Sequence, residues 1–223
     1  MSVLPPAPTT RRVALQILAV FVTLAVLAVG AVLAVRLTRG PVRIADITEL
    51  DASMMVDRQD FPASTASFEG PEKSTDGDPD GGGVTPAICA ALAGPPATQS
   101  MYVNQSSDSS HALAMRISLP YKTFDYIADA ATCSGYQLGS GIMVDVDHQV
   151  SLDGLPPWAV AVTERVSDRG SMITPFAGRK VIGRYRGVYL VAICLRPTVE
   201  QLRGCDESLV HVFNAQVRKL ASV

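Results

Sequence analysis

The 223-residue sequence lacks the short motifs that identify most enzyme classes. It contains no G-x-S-x-G, H-E-x-x-H, Walker or G-x-G-x-x-G pattern, so neither a hydrolytic serine, a catalytic zinc nor a nucleotide cradle is predicted. The three histidines, His111, His148 and His211, are scattered. Asp145, Asp147 and His148 would suit an acid–base group or a cation site, but such alternating polar residues are more typical of the solvent side of a strand. We therefore expect no enzyme activity and no cofactor.

Acidic residues are absent from the first 43 positions, which contain five arginines. The rest of the chain carries 14 basic against 21 acidic side chains, a net charge of −7. Nucleic-acid binding depends on dense positive charge, so nucleic acid is not predicted as a partner. Only 18% of the residues are charged and 48% are hydrophobic, which excludes a disordered chain.

No charge interrupts the segment from Val13 to Val35, which is 23 residues long. A helix of that length reaches about 34 Å, enough to span the hydrocarbon core of a bilayer. Arginines flank it on both sides: Arg11, Arg12, Arg36, Arg39 and Arg43. We predict a short cytoplasmic tail (1–12) and a single transmembrane helix (13–35) that forms the membrane contact. A cleaved signal peptide is the alternative, although its apolar region is usually only about 7 to 15 residues long.

The four cysteines all follow this segment, at Cys89, Cys133, Cys194 and Cys205. An even number of cysteines predicts disulfides, with three possible pairings, of which we favour Cys89–Cys133 and Cys194–Cys205. The nearest two cysteines are 11 positions apart, which argues against zinc, and no metal site is predicted. Disulfides form outside the cytoplasm. They place residues 36–223 in the extracytoplasmic space, although the flanking arginines slightly favour the opposite orientation.

Residues 36–84 are predicted to form a stalk and an acidic flexible loop. The stretch from Glu69 to Gly83 is rich in Gly, Pro and Asp and favours a loop, whereas Ile44 to Phe61 has enough apolar residues for a strand or short helix that packs on the domain. Asp76 to Gly81 begins like a calcium-binding loop. Its twelfth position is Ala87 instead of the bidentate Glu, so a solvated acidic loop is favoured over calcium.

Residues 85–223 predict one extracytoplasmic α+β domain with a mainly antiparallel sheet packed with helices. Two-residue apolar periods and one continuous apolar run predict five strands: Met101–Gln105, Leu113–Leu119, Ile142–His148, Trp158–Glu164 and Val188–Cys194. Helical spacing predicts three helices: Pro86–Leu92, Tyr121–Cys133 and a closing helix that extends to Leu220 with Asp206 as its N-cap.

The strongest basic cluster consists of Arg179, Lys180, Arg184 and Arg186. If the chain is extended there, residues 180, 184 and 186 share one strand face. Such a cluster would suit an anionic envelope ligand, and a solvated strand face is the alternative. Trp158 is expected in the core, although an exposed ring would offer a platform for a sugar or lipid.

Five features of the sequence together support a resemblance to a known family. They are the cysteines, the helix that leads into Cys133, the Tyr185–Val191 segment, the terminal amphipathic helix and the Asp60-Phe61-Pro62 element. From about Ile44 onward the chain resembles an exported domain of unknown function in mycobacterial lipoproteins and membrane proteins. That domain is itself similar to the extracellular sensor domain of mycobacterial serine/threonine kinase H. The resemblance implies a two-disulfide α+β domain outside the cell membrane, a ligand-sensing or envelope role, and no known catalysis. The chain departs from that group because its predicted tail leaves no room for a kinase domain and no lipid-bearing cysteine follows the apolar segment.

Our leading hypothesis is a membrane-anchored, sensor-like domain that binds an unidentified ligand or protein partner in the cell envelope. An envelope lipid carrier is the first alternative and predicts a deep apolar cavity between sheet and helix. An enzyme would need a convergent acid–base pair in a pocket, and a structural scaffold would show a broad exposed apolar patch.

Overall fold

The computed structural model describes residues 45–75, 83–108, 110–139, 141–168 and 175–223. The predicted transmembrane helix (13–35) and the predicted calcium-like segment (76–81) lie outside these residues. Within the described ranges, no helix has both the length and the apolar character needed to cross a membrane.

The described residues form a nine-stranded antiparallel sheet in the order β1-β3-β4-β9-β8-β7-β6-β5-β2. Its strands are β1 (Ser67–Ser74), β2 (Val84–Thr85), β3 (Ala97–Asp108), β4 (His111–Pro120), β5 (Gly135–Leu138), β6 (Ile142–Val150), β7 (Val160–Asp168), β8 (Phe176–Tyr185) and β9 (Val188–Arg196). Three α-helices accompany the sheet: α1 (Ala90–Ala93), α2 (Tyr126–Thr132) and α3 (Asp206–Ala221). The predicted α+β class with a mainly antiparallel sheet is confirmed.

The middle of the sheet separates two hydrophobic cores. Side chains alternate along β8, so that Val181 and Ile182 point to opposite faces and belong to different buried clusters. On one face, Val181 packs with Phe213 of α3; we call this the α3 face. On the other, Ile182 packs with Tyr126 of α2; we call this the α2 face. The centre of the molecule therefore has three layers.

The segment before β1 belongs to the core of the α3 face. Its apolar side chains are buried there: Ile47, Leu50, Met55, Val56 and Phe61. The buried amide of Gln216 in α3 accepts a hydrogen bond from the Val56 N–H at 3.1 Å and donates one to the Met54 carbonyl at 2.6 Å. The predicted packing of this segment on the domain is confirmed, because its apolar side chains share one buried cluster with the sheet and α3.

The predicted loop from Glu69 to Gly83 is wrong in its first part. Residues 67–74 form β1, the edge strand that pairs with β3, although most of its side chains are exposed. Because an edge strand is stabilised by backbone hydrogen bonds to one neighbour, it does not need the alternating apolar pattern by which strands are recognised.

Two predicted helix starts also differ from the structure. The helix predicted from Tyr121 begins only at Tyr126, because the Asp125 carboxylate caps it by accepting from the Ala128 N–H. The closing helix has Cys205 as its N-cap residue instead of Asp206, since a 3₁₀ turn (Glu200–Cys205) runs directly into α3. Asp206 therefore lies in the first helical turn, where a negative charge is favourable.

Candidate ligand-binding face

Both predicted disulfides are present. Cys89–Cys133 joins the turn before α1 to the end of α2, with the Cα atoms 5.4 Å apart. Cys194–Cys205 joins β9 to the turn before α3, with the Cα atoms 6.3 Å apart. The first bridge therefore joins α1 and α2 on the α2 face, and the second joins the sheet to α3 on the α3 face.

Arg179, the first member of the predicted basic cluster, lies on the α3 face and is only 8% exposed. Its Nη1 donates to both carboxylate oxygens of Asp206, at 2.8 and 2.9 Å. The pair links β8 to the first turn of α3, so Arg179 has its ionic partner inside the fold.

Lys180 points to the α2 face and is 6% exposed. Its Nζ donates to the Glu164 carboxylate at 2.8 Å and to the Leu92 carbonyl at 2.6 Å. Tyr136 also donates to Glu164, at 3.0 Å, and burial raises the pKa of the Tyr136 phenol. The groups of this network therefore hydrogen-bond to one another inside the core, between the sheet and α1.

The other two members of the cluster lie further along the chain. Arg184 is partly exposed and donates to the Thr123 hydroxyl at 3.3 Å. Arg186 lies in the β8–β9 turn with a φ of 49° and donates to the carbonyls of Leu220 and Val223. Arg186 therefore does not share a strand face with residues 180 and 184, and the four basic side chains do not converge on one anion site.

A different surface is left open on the α2 face. The helices α1 and α2 cover β6 to β8 and the adjoining part of β9, around Tyr189. The remaining part, across β3, β4 and β9, has no helix of the described chain over it. We call this surface the open face and define it by its lining residues: Tyr102, Asn104, Ser106, Asp108, Ala112, Ala114, Ile193 and Leu195.

The open face is a depression of about 390 Å³ with an apolar floor. Ala114 of β4 lies opposite Ile193 of β9 in the sheet register, and both are partly exposed. Their chain neighbours Met115 and Ala192 point to the α3 face and are fully buried. The same strands therefore contribute one face to the core and present the other to solvent.

Polar residues of β3 form one side of the depression at every second position. The Tyr102 ring is 39% exposed and its hydroxyl donates to Glu72. The Asn104 amide donates to the Ser106 hydroxyl at 3.2 Å, whereas its Oδ1 has no hydrogen-bond partner in the described chain. The lining residues include no cationic side chain, but exposed Arg116 of β4 borders them, because it is in register with Tyr102 on the same face. The lining itself suits a ligand with an apolar face and hydrogen-bond donors.

Asp108 ends this polar row at the β3–β4 turn. The Ser110 hydroxyl donates to its carboxylate at 2.8 Å, and His111 lies 3.0 Å from it. These hydrogen bonds lower the pKa of Asp108 to about 2, with the Ser110 hydroxyl as the largest cause. The carboxylate is therefore ionised at neutral pH. No sequence motif marks this row, and the two-residue alternation of β3 is the signal that could have found it.

The alternatives from the sequence find less support in this geometry. The lipid-carrier alternative predicts a cavity between the sheet and α3, but this space is filled by fully buried side chains such as Leu209 and Phe213. Five depressions of 350 to 440 Å³ on the described residues are open to solvent. Asp147 of the proposed acid–base group is paired with Arg165, and the side chain of His148 is outside the described part.

Trp158 stacks on Tyr185 with ring centroids 6.0 Å apart and packs against the α3-face core, as expected.

Across the described ranges, no three His, Cys, Asp or Glu side chains are grouped closely enough to hold a metal ion.

No protein-family model matches the sequence, and no curated protein matches it. Among solved structures, the fold is similar to the crystal structure of the extracellular domain of PknH from Mycobacterium tuberculosis, with a TM-score of 0.49 and 9% sequence identity. The match covers 74% of this chain and 94% of that chain. The resemblance noted in the sequence also led to an extracellular domain of this kind.

Proposed function

We propose that the chain is a single-pass membrane protein that presents residues 45–223 outside the cell membrane as a sensor-like, non-catalytic ligand-binding domain. The observation that carries this proposal is the open face. Across β3, β4 and β9, no helix of the described ranges covers the α2 face, and the depression there combines an apolar floor with a row of polar side chains. Concave sites of that composition are typical ligand sites.

The extracytoplasmic location is supported by the cysteines. All four are paired in two disulfides, and structural disulfides persist in oxidising compartments. The apolar segment 13–35 supplies the anchor in this proposal.

The ligand class follows from the lining of the open face. The Asp108 carboxylate and the Ser106 hydroxyl offer hydrogen-bond acceptors, and the Tyr102 ring offers an apolar surface beside them. The lining contains the Asp108 carboxylate and no cation, so a phosphate or carboxylate would depend on Arg116 at its border. We infer a neutral ligand rich in hydroxyl groups, such as a saccharide of the cell envelope.

The location is tested on the full chain produced in its native membrane. Protease added to intact cells is expected to digest residues 45–223, and the unreduced protein is expected to have the mass of the full chain less four hydrogens. Protection from protease in intact cells, or four free thiols, would place the domain on the other side of the membrane. Loss of the first thirty or so residues would remove the anchor.

The ligand class is tested by saturation-transfer NMR of the full chain with a panel of neutral disaccharides and their phosphorylated counterparts. We expect saturable binding of a neutral disaccharide that is lost in Ala114→Arg, which fills the floor of the open face. Ala128→Arg, on the exposed side of α2, is the matched control and should retain binding. Preference for the phosphorylated sugars, or equal binding by both variants, would refute the assignment.

A further inference from the structure

The sheet has a second unfinished region, at the outer edge of β6. β5 pairs with β6 only from Ile142 to Asp145, and the Val146 N–H donates to the Ser134 carbonyl where the chain turns away. From Asp147 to Val150, no other strand of the described chain pairs with β6 on that side. The register with β7 also shifts between Asp147 and Gln149. Such bulges are frequent where a strand edge is shaped for a site.

Two depressions flank this free edge on opposite faces of the sheet. Their volumes are about 410 and 440 Å³, and Gln149 lines both. The one on the α3 face combines the polar residues Gln149 and Ser151 with apolar side chains, namely Val150, Leu152, Leu155, Pro156, Ala159, Val160 and Ala161. The one on the α2 face is bordered by the end of α2 and is lined by Ala130, Ala131, Thr132, Ser134 and Val146.

An added strand would use both depressions. Successive side chains of an extended peptide point to opposite faces of a sheet. A segment paired with Asp147–Val150 would therefore direct alternate side chains into the depression on the α3 face and into the one on the α2 face. This is the arrangement by which sheet edges bind peptides, with backbone hydrogen bonds for affinity and alternating pockets for specificity.

The charge around the edge defines the partner further. Residues 142–168, which form β6, β7 and their connection, contain five acidic residues against one basic residue, Arg165. Glu164 is neutralised by buried Lys180 and Asp147 by Arg165, whereas Asp145 and Asp153 are exposed. A cationic segment is therefore complementary to this edge.

The other end of the sheet does not offer such an edge. β1 contains Pro71, which has no N–H, and its register with β3 shifts between Glu69 and Glu72. Proline and charged residues are the usual protection of an exposed edge strand. The β1 edge is thus protected against a further strand, whereas the free stretch of β6 lacks this protection.

We propose that the outer edge of β6 at Asp147–Val150 binds an extended, cationic segment of a partner protein as an additional strand, with apolar side chains at alternate positions. This surface is separate from the open face, and the inference does not depend on the ligand assigned to it.

The test uses the full chain in uncharged detergent and a ten-residue peptide that alternates valine with lysine. Fluorescence anisotropy is expected to show saturable binding with a dissociation constant below about 1 mM. Hydrogen exchange is expected to show new amide protection confined to residues 146–151. A peptide that alternates valine with glutamate should bind at least about tenfold more weakly.

Ala131→Trp and Ser151→Trp fill the two depressions from exposed positions and should each weaken binding about tenfold or more. Ala128→Trp, also exposed on α2 but outside the depression, should bind like the unmodified chain, as should Ala114→Arg on the open face. The proposal is overturned by the absence of saturation up to about 1 mM. Equal binding of the glutamate peptide, or protection that falls on β1 instead of β6, would overturn it as well.

Discussion

The Lys180 ammonium lies 2.8 Å from the Glu164 carboxylate, and both side chains are buried between the sheet and α1. Lys180 also donates to the Leu92 carbonyl, so the ion pair connects β7 and β8 with the end of α1. A buried pair of this kind is costly to break, because the remaining partner is left as an isolated charge in the core.

Replacing Lys180 with Met should therefore destabilise the fold by about 3–5 kcal/mol. Urea denaturation of the variant gives the free energy of unfolding directly. The double variant Lys180→Met/Glu164→Leu removes both charges and should recover most of that loss. If the single and double variants are equally unstable, the ion pair is not the cause.

The two disulfides should differ in their contribution to stability. In the chain-entropy estimate, a bridge stabilises more when it closes a longer loop. Cys89–Cys133 spans 44 positions and Cys194–Cys205 spans 11, which corresponds to about 4 and about 3 kcal/mol. Paired Cys→Ala variants, compared by denaturant unfolding, should show the larger loss for Cys89/Cys133. The reverse order would mean that packing around the sulfur atoms outweighs loop entropy.

Gly183 of β8 lies directly under the aromatic cluster of the α3 face. A Cβ atom there would lie 2.5 Å from the Trp158 ring and 3.0 Å from the Phe213 ring. Gly183→Ala should therefore cost about 1–3 kcal/mol through overpacking and should change the near-ultraviolet signal of the only Trp. Gly204→Ala is the matched control, because a Cβ at Gly204 meets no atom within 4 Å. A loss in Gly204→Ala as large as in Gly183→Ala would argue against the overpacking explanation.

The ionised Asp108 carboxylate should stabilise the β3–β4 turn over most of the pH range. Its pKa is lowered to about 2, first by the Ser110 hydroxyl and then by His111. A group with a lowered folded-state pKa contributes stability above its ordinary pKa of about 4, and this contribution is lost as the pH falls towards 2. Carbon-13 NMR titration should find the low pKa, and Ser110→Ala should raise it. Ser107→Ala is the control and should leave it unchanged.

Much of the sheet was predictable because its central strands follow simple apolar periods. The strand predicted at Leu113–Leu119 is β4 with one or two more residues at each end, and Val188–Cys194 forms most of β9. Both are flanked by strands and buried on at least one face, so their patterns are strong. β8 was not predicted, since its sequence mixes apolar residues with glycine and three basic residues. The basic residues belong there because each has a partner elsewhere in the fold.

The candidate site was only partly predictable, because the sequence does not show which partner a basic residue has in the fold. Arg179 and Lys180 were assigned to a ligand, whereas the structure uses them in internal pairs with Asp206 and Glu164. The open face was not predicted, because its Ala and Ser residues have no chemical signature in the sequence. It is recognised only from where α1 and α2 end.

The amino-acid sequence by itself determined the α+β class and the central strands, because these depend on local periods. It left three cysteine pairings possible, and the structure decided in favour of neighbours. The tertiary structure decided which charges are buried, that the segment from Ala45 onward joins the core, and which part of the sheet stays uncovered. Those features depend on sheet register and on contacts between distant residues, such as Lys180 with Leu92, 88 positions apart. A side chain's type does not specify its distant partner, so only the assembled sheet reveals whether a basic residue faces a ligand or another part of the same chain.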